Sequence, residues 1–120
     1  MIKSFRDLAV WQKSIALAER VYSMTEALPR SETYGLTSQM RRAAISIPSN
    51  IAEGKAVGGQ GYLRHLRIAL GSEAELQTQI ELAVRLKLVA RSDADRLLSE
   101  TSEVGRMLSS LLRSLNGLTA

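Results

Sequence analysis

Residues 39–54 read QMRRAAISIPSNIAEG, a stretch with a helical apolar period and a proline at position 48 in its middle. Working back to Leu36, the residues Leu36, Met40, Ala43, Ile47 and Ile51 recur at steps of 4, 3, 4 and 4, which puts them on one face of a helix. The stripe crosses Pro48 in phase. Proline lacks an N–H and frees the carbonyl of Ala44, so the spacing predicts a kinked helix there, with a stop at Ile47 and a restart as the alternative. Gln39, Arg42, Ser46, Asn50 and Glu53 line up beside the apolar face rather than opposite it. A half-buried polar row must find hydrogen-bond partners. Ser72 and Glu73 on the following helix are the natural ones, which makes the row either a register-fixing network or a polar site at a helix or subunit seam.

The same periodicity extends outward in both directions. Ser4 and Asp7 have capping-box spacing, and Leu8, Trp11, Ile15, Ala18, Tyr22 and Thr25 follow at steps of 3, 4, 3, 4 and 3. Leu28–Pro29 ends that helix. Ser31 and Thr37 are alternative caps for the second helix. The segment VGGQG at 57–61 reads as a flexible interhelical loop. A phosphate cradle is the weaker reading, since no strand precedes it and no GK[ST] follows.

Beyond that loop Tyr62, Leu66, Ala69, Leu76, Ile80 and Ala83 share a face, with Glu73 where an apolar residue is expected. Ser92, followed by Asp93 and Asp95, has the chemistry of a cap for a fourth helix. There Leu97, Thr101, Val104, Leu108, Leu111 and Leu115 repeat, and Asn116–Gly117 is a stop signal. Four helices, about 5–27, 32–56, 61–88 and 93–116, give one all-α domain over residues 1–120, an antiparallel up-down-up-down four-helix bundle.

Composition agrees. The 120 residues include no cysteine, two prolines and few aromatics, so the core rests on aliphatic and alanine side chains and disulfide or thiolate chemistry is excluded. Neither a signal-peptide pattern nor an apolar run of roughly 20 residues is present, so a cytoplasmic, non-membrane protein is expected. His65 is the single histidine and has no second ligand at metal spacing; it reads as a surface residue beside Arg64 and Arg67. No acid–base pair or nucleophile–base arrangement stands out, so no catalytic residue, metal or cofactor is expected.

The net charge of +4 is uneven. Residues 1–67 hold ten of sixteen Lys and Arg and five of twelve acids, a net +5; residues 68–120 hold six and seven, a net −1. A basic region suits a nucleic-acid partner, with Arg41, Arg42, Lys55, Arg64 and Arg67 as contacts and Lys3, Arg6 and Lys13 as further ones. Ile45, Pro48, Ala52, Leu70 and Val10 fall off the apolar stripes, so self-association is expected, scattered surface apolars being the alternative. Three functional readings result. One is an RNA-binding oligomeric scaffold, and the second is a protein-interaction adaptor with no nucleic-acid role. The third is a small-molecule pocket at Arg42, Asn50 and Glu53.

The chain also resembles a known family. Phe5, Leu8, Val10 and Trp11 form a Phe-x-x-Leu-x-Val-Trp opening, followed by Pro29, Glu32, Tyr34, Gly35 and Leu36. Gln39, Arg41, Arg42, Ala43, Ser46, Ile47, Pro48, Asn50, Ile51, Ala52, Glu53 and Gly54 then match a Gln-x-Arg-Arg-Ala-x-x-Ser-Ile-Pro-x-Asn-Ile-Ala-Glu-Gly block. Gly71, Ser72, Glu75 and Leu76 match Gly-Ser-x-x-Glu-Leu. This pattern is similar to the four helix bundle protein family, also called the 23S rRNA intervening sequence or S23 family. The resemblance implies an antiparallel four-helix bundle, a homopentameric ring, and genes within intervening sequences of bacterial 23S rRNA or standing free. No enzymatic activity is established for the family the chain resembles. The fold is similar to that of the accessory protein of diversity-generating retroelements, a basic pentamer engaging nucleic acid and a reverse transcriptase.

Overall fold

Four helices follow one another in the computed structural model, which describes residues 1–119. They are α1 (Ala9–Thr25), α2 (Leu36–Val57), α3 (Gly59–Arg85) and α4 (Arg91–Thr119). Sequential helices pack side by side and α1 closes against α4, while among the described residues the backbones of the diagonal pairs stay apart. This is the up-down-up-down bundle, 46 × 22 × 21 Å, and α2–α3 is its most extensive seam. Among the described residues no helix is long and apolar enough to cross a membrane.

The stripes of the second and third helices form the core together with Leu97, Thr101, Val104 and Leu108 of the fourth, where Leu112 is buried and the expected Leu111 and Leu115 are half-buried. Met40, Ile47, Ile51, Leu66, Leu76, Ile80 and Leu108 have no exposed surface. Each such side chain contributes about 1.5–3 kcal/mol by leaving water. The first helix is rotated from its expected face. Val10, Ser14, Leu17, Val21 and Thr25 are buried, whereas Trp11, Ile15 and Ala18 are half-buried and Tyr22 is exposed. Two apolar stripes overlap here, and Ser14 made the true one look polar. Its hydroxyl donates to Trp11 O at 2.8 Å, and Thr25 Oγ1 donates to Val21 O at 2.7 Å, so both are buried with their hydrogen bonds made locally.

The helix ends also differ from expectation. The Ser4–Asp7 capping box closes on a 3₁₀ turn, Phe5–Asp7, and extended Leu8 delays α1 to Ala9. Neither Ser31 nor Thr37 caps α2. A second 3₁₀ turn, Arg30–Glu32, precedes it, and Glu32 Oε1 accepts the Leu36 N–H at 3.1 Å. α2 runs through Pro48 without a break, and Pro48 is buried rather than outward-facing. The expected loop at 57–61 shrinks to Gly58. Gly58 and Gly59 have φ of 70° and 54°, a left-handed pair that reverses the chain in one residue. Ser92 lies inside α4 rather than capping it, since the Ala94 N–H already bonds to Ala90 O. The helix continues to Thr119, past Asn116–Gly117.

Candidate functional site

The α2–α3 seam gathers most of the polar row, and a glycine sets its spacing. A Cβ on Gly54 would lie 2.9 Å from the Cβ of His65 and 3.0 Å from Tyr62 Cδ1, so only glycine allows this approach. With the helices this close, Ser72 Oγ donates to Ser46 Oγ at 2.8 Å. Asn50 Nδ2 donates to Ser46 O at 2.8 Å and to Ser46 Oγ at 3.0 Å. Asn50 Oδ1 lies 2.9 Å from His65 Nδ1.

The chemistry of this chain fixes its proton positions. The Asn50 amide nitrogen is committed to Ser46, so its oxygen faces the imidazole and can only accept. His65 Nδ1 therefore carries the proton, which leaves Nε2 as the acceptor of the neutral ring. The Glu53 carboxylate stands 3.6 Å from Nδ1, beyond hydrogen-bond range, on a side chain that is 64% exposed; that of His65 is 13% exposed.

Ser46, Asn50 and Ser72 thus come together across the seam, whereas Glu53, expected in the half-buried row, is exposed and makes no side-chain hydrogen bond among the described residues. Gln39 and Arg42 do not join them: both are exposed and neither makes a side-chain hydrogen bond among the described residues. Glu73 faces α4 rather than α2; it accepts from Gln77 and packs against Gly105. His65, read from sequence as a surface residue, is the missing member of the chain. The signal for it was positional: antiparallel packing that pairs residue 46 with 72 and 54 with 62 brings residue 50 to the turn of α3 that holds His65.

The basic residues separate into engaged and free groups. Arg41 clamps α1 to α2: its Nε donates to Thr25 Oγ1 at 2.8 Å, and its guanidinium lies 4.5 Å from the Tyr22 ring centroid. Lys55 sits 5.9 Å from the Tyr62 ring centroid, Arg6 stacks on Phe5, and Lys13 pairs with Glu103 at 3.3 Å. Arg42, Arg64 and Arg67 are exposed and form no ion pair among the described residues. Burial pushes the Tyr62 hydroxyl above its ordinary value, and hydrogen bonds to Glu81 and Asp95 raise Arg91 at the α3–α4 turn.

No group of three or more His, Asp or Glu among the described residues is placed to hold a metal. An open groove of about 350 Å³ lies elsewhere, between α1 and α4, with Met24, Leu88 and Leu97 in its lining. It contains none of Arg42, Asn50 or Glu53, the residues of the sequence-based pocket reading.

A model of a family described as 23S rRNA-intervening sequence protein matches residues 6–110. No curated protein matches the chain. Among solved structures, the chain is similar to a protein of unknown function from the S23 ribosomal protein family of Bacteroides thetaiotaomicron. The two share 24% identity with a TM-score of 0.81, over 87% of this chain and 95% of that one. That likeness concerns the fold.

Proposed function

The chain belongs to the 23S rRNA-intervening sequence protein family, and on that premise we propose a cytoplasmic, non-enzymatic helical scaffold that self-associates into a ring and takes RNA as its partner. The observation that carries self-association is the outer face of α2 and α3. Ile68 and Leu82 project from one side of α3, with Leu86 just past its C-terminal end, and Ile45 projects from the adjacent α2, each between 40% and 53% exposed. A second copy covering this face removes apolar surface from water. A closed ring satisfies every such face, and the pentamer is the size that the family resemblance implies. A non-enzymatic role is supported by how the seam spends its polar groups. Ser46, Asn50, Ser72 and His65 Nδ1 bond to one another rather than converging on an open space.

Sedimentation equilibrium tests the assembly. The parent protein is expected as a closed oligomer, and Ile68→Lys combined with Leu82→Glu should give a helical monomer. A parent that is monomeric at tens of micromolar overturns self-association. For the RNA part, binding to a structured RNA should weaken steeply with salt. No binding at low salt, or binding indifferent to salt, overturns it. Loss of a protein partner in the Ile68/Leu82 variant, with no RNA bound by the parent, would replace it with the adaptor role.

A further inference from the structure

The fold sorts charge by height. The Lys13–Glu103 and Arg41–Thr25 contacts fix how α1 lies along its neighbours, and the Arg91–Glu81 pair marks the opposite end from the α2–α3 turn. The half containing that turn comprises residues 1–14, 50–67 and 102–117. It holds eight Lys and Arg against three acids, a net +5. The other half holds eight against nine, a net −1. Chain order gives only a basic N-terminal half; the up-down topology adds Arg106 and Arg113 from α4 to that basic group and leaves Arg41 and Arg42 outside it.

We propose that this basic end of the bundle, presenting Lys3, Arg6, Lys55, Arg64, Arg67 and Arg113, is the surface that holds the RNA phosphate backbone. The inference rests on the RNA reading above and adds where the RNA sits. Its three acids are partly spent. Asp7 caps the first turn by accepting from Lys3 N and Ser4 N, Glu103 pairs with Lys13, and Glu53 stands beside His65. Arg64 and Arg67 are exposed and unpaired among the described residues, on a helix that holds their backbone rigid. Guanidinium forks so placed match the bidentate geometry of phosphate oxygens. In any cyclic assembly, all copies of this end map onto one circle about the axis, so the charge of a single bundle is repeated there. Such a circle focuses potential and steers a polyanion toward it.

The test is an anisotropy titration of the assembled protein with a labelled RNA hairpin at several salt concentrations. Reversing Arg64, Arg67 and Arg113 to Glu should weaken binding at least tenfold and flatten the log–log salt dependence by about 2–3. Reversing Arg85, Lys87 and Arg96 at the far end changes net charge equally and should leave affinity within about twofold, because the far end lies beyond a Debye length. Sedimentation of each variant checks that the ring is intact. If the first triple dissociates, Lys3→Glu, Arg6→Glu and Arg113→Glu carry the same expectation on other elements of that end. Equal losses from the two ends overturn the location while leaving RNA binding standing. No binding by the parent at low salt overturns both. Tighter binding to duplex DNA of equal length, or to anionic phosphatidylserine vesicles, would assign the surface to that partner instead.

Discussion

Asn50 Oδ1 and His65 Nδ1 meet at 2.9 Å across the α2–α3 seam, and the Asn50 amide is locked in that orientation by its bonds to Ser46. Asn50→Leu removes a group that serves both helices at once. It leaves the His65 N–H without its acceptor in a side chain only 13% exposed. The expected loss is about 1–3 kcal/mol, the usual penalty for stranding a buried polar group, read as a lower urea midpoint. A denaturation curve and sedimentation profile identical to the parent's would contradict it. Long-range nitrogen NMR of His65 should show the neutral ring protonated at Nδ1.

Gly54 makes that pairing possible, and its replacement is the sharper probe of the seam. Alanine would place a Cβ 2.9 Å from His65 Cβ and 3.2 Å from Tyr62 O, and neither is the yielding end of a flexible side chain. Gly54→Ala should therefore destabilise by about 1–3 kcal/mol despite alanine's better helix propensity. A stabilised variant would mean that α2 and α3 can separate without cost.

Arg41 is tied to α1 rather than free to meet a ligand. Truncation to alanine removes a hydrogen bond to Thr25 and a stack on Tyr22. A loss of about 1–2 kcal/mol in urea denaturation is expected from the two together. An unchanged midpoint would return Arg41 to the pool of free cations.

The second and third helices were legible because their core positions are unambiguous: Leu36 to Ile51 and Tyr62 to Ala83 hold one phase for several turns. The first helix was not, because Ser14 satisfies its hydroxyl on its own backbone and so sits in the core at little cost, while Thr25, which does the same, lies on both the expected and the observed stripe. Periodicity also cannot tell which neighbour a polar residue faces. Ser46, Asn50 and Ser72 were placed correctly beside the core, but Glu73 serves α4, and Gln39 and Arg42 point to solvent. His65 escaped notice because its partner is fifteen residues away, across a turn that the glycines make far tighter than a five-residue loop.

Tyr62 gives the bundle an alkaline dependence. Burial raises its hydroxyl above the ordinary 10.0, so the folded protein holds this proton more tightly than the unfolded chain does. The contribution is complete below the unfolded value and is lost as pH rises through the folded one. Stability should therefore fall on the alkaline side, and Tyr62→Phe should flatten that limb relative to the parent. Parallel urea midpoints for the two proteins across this range would contradict it.

Glu73 and Gly105 form a matched pair, the carboxylate of α3 occupying the space that a side chain on α4 would take. A Cβ on Gly105 would lie 2.6 Å from Glu73 Oε1 and 2.8 Å from its Cδ. Glu73 is 6% exposed and accepts from Gln77, so moving its tip also breaks that bond. Gly105→Ala should cost about 1–3 kcal/mol through this displacement. Glu73→Ala alone opens a hole against Gly105 and strands Gln77, with a cost of similar size. In the double variant the new methyl enters the space the carboxylate vacates, so the two losses should fall short of additive by at least about 0.5 kcal/mol. Strictly additive losses in urea denaturation would show that the two residues do not share that space.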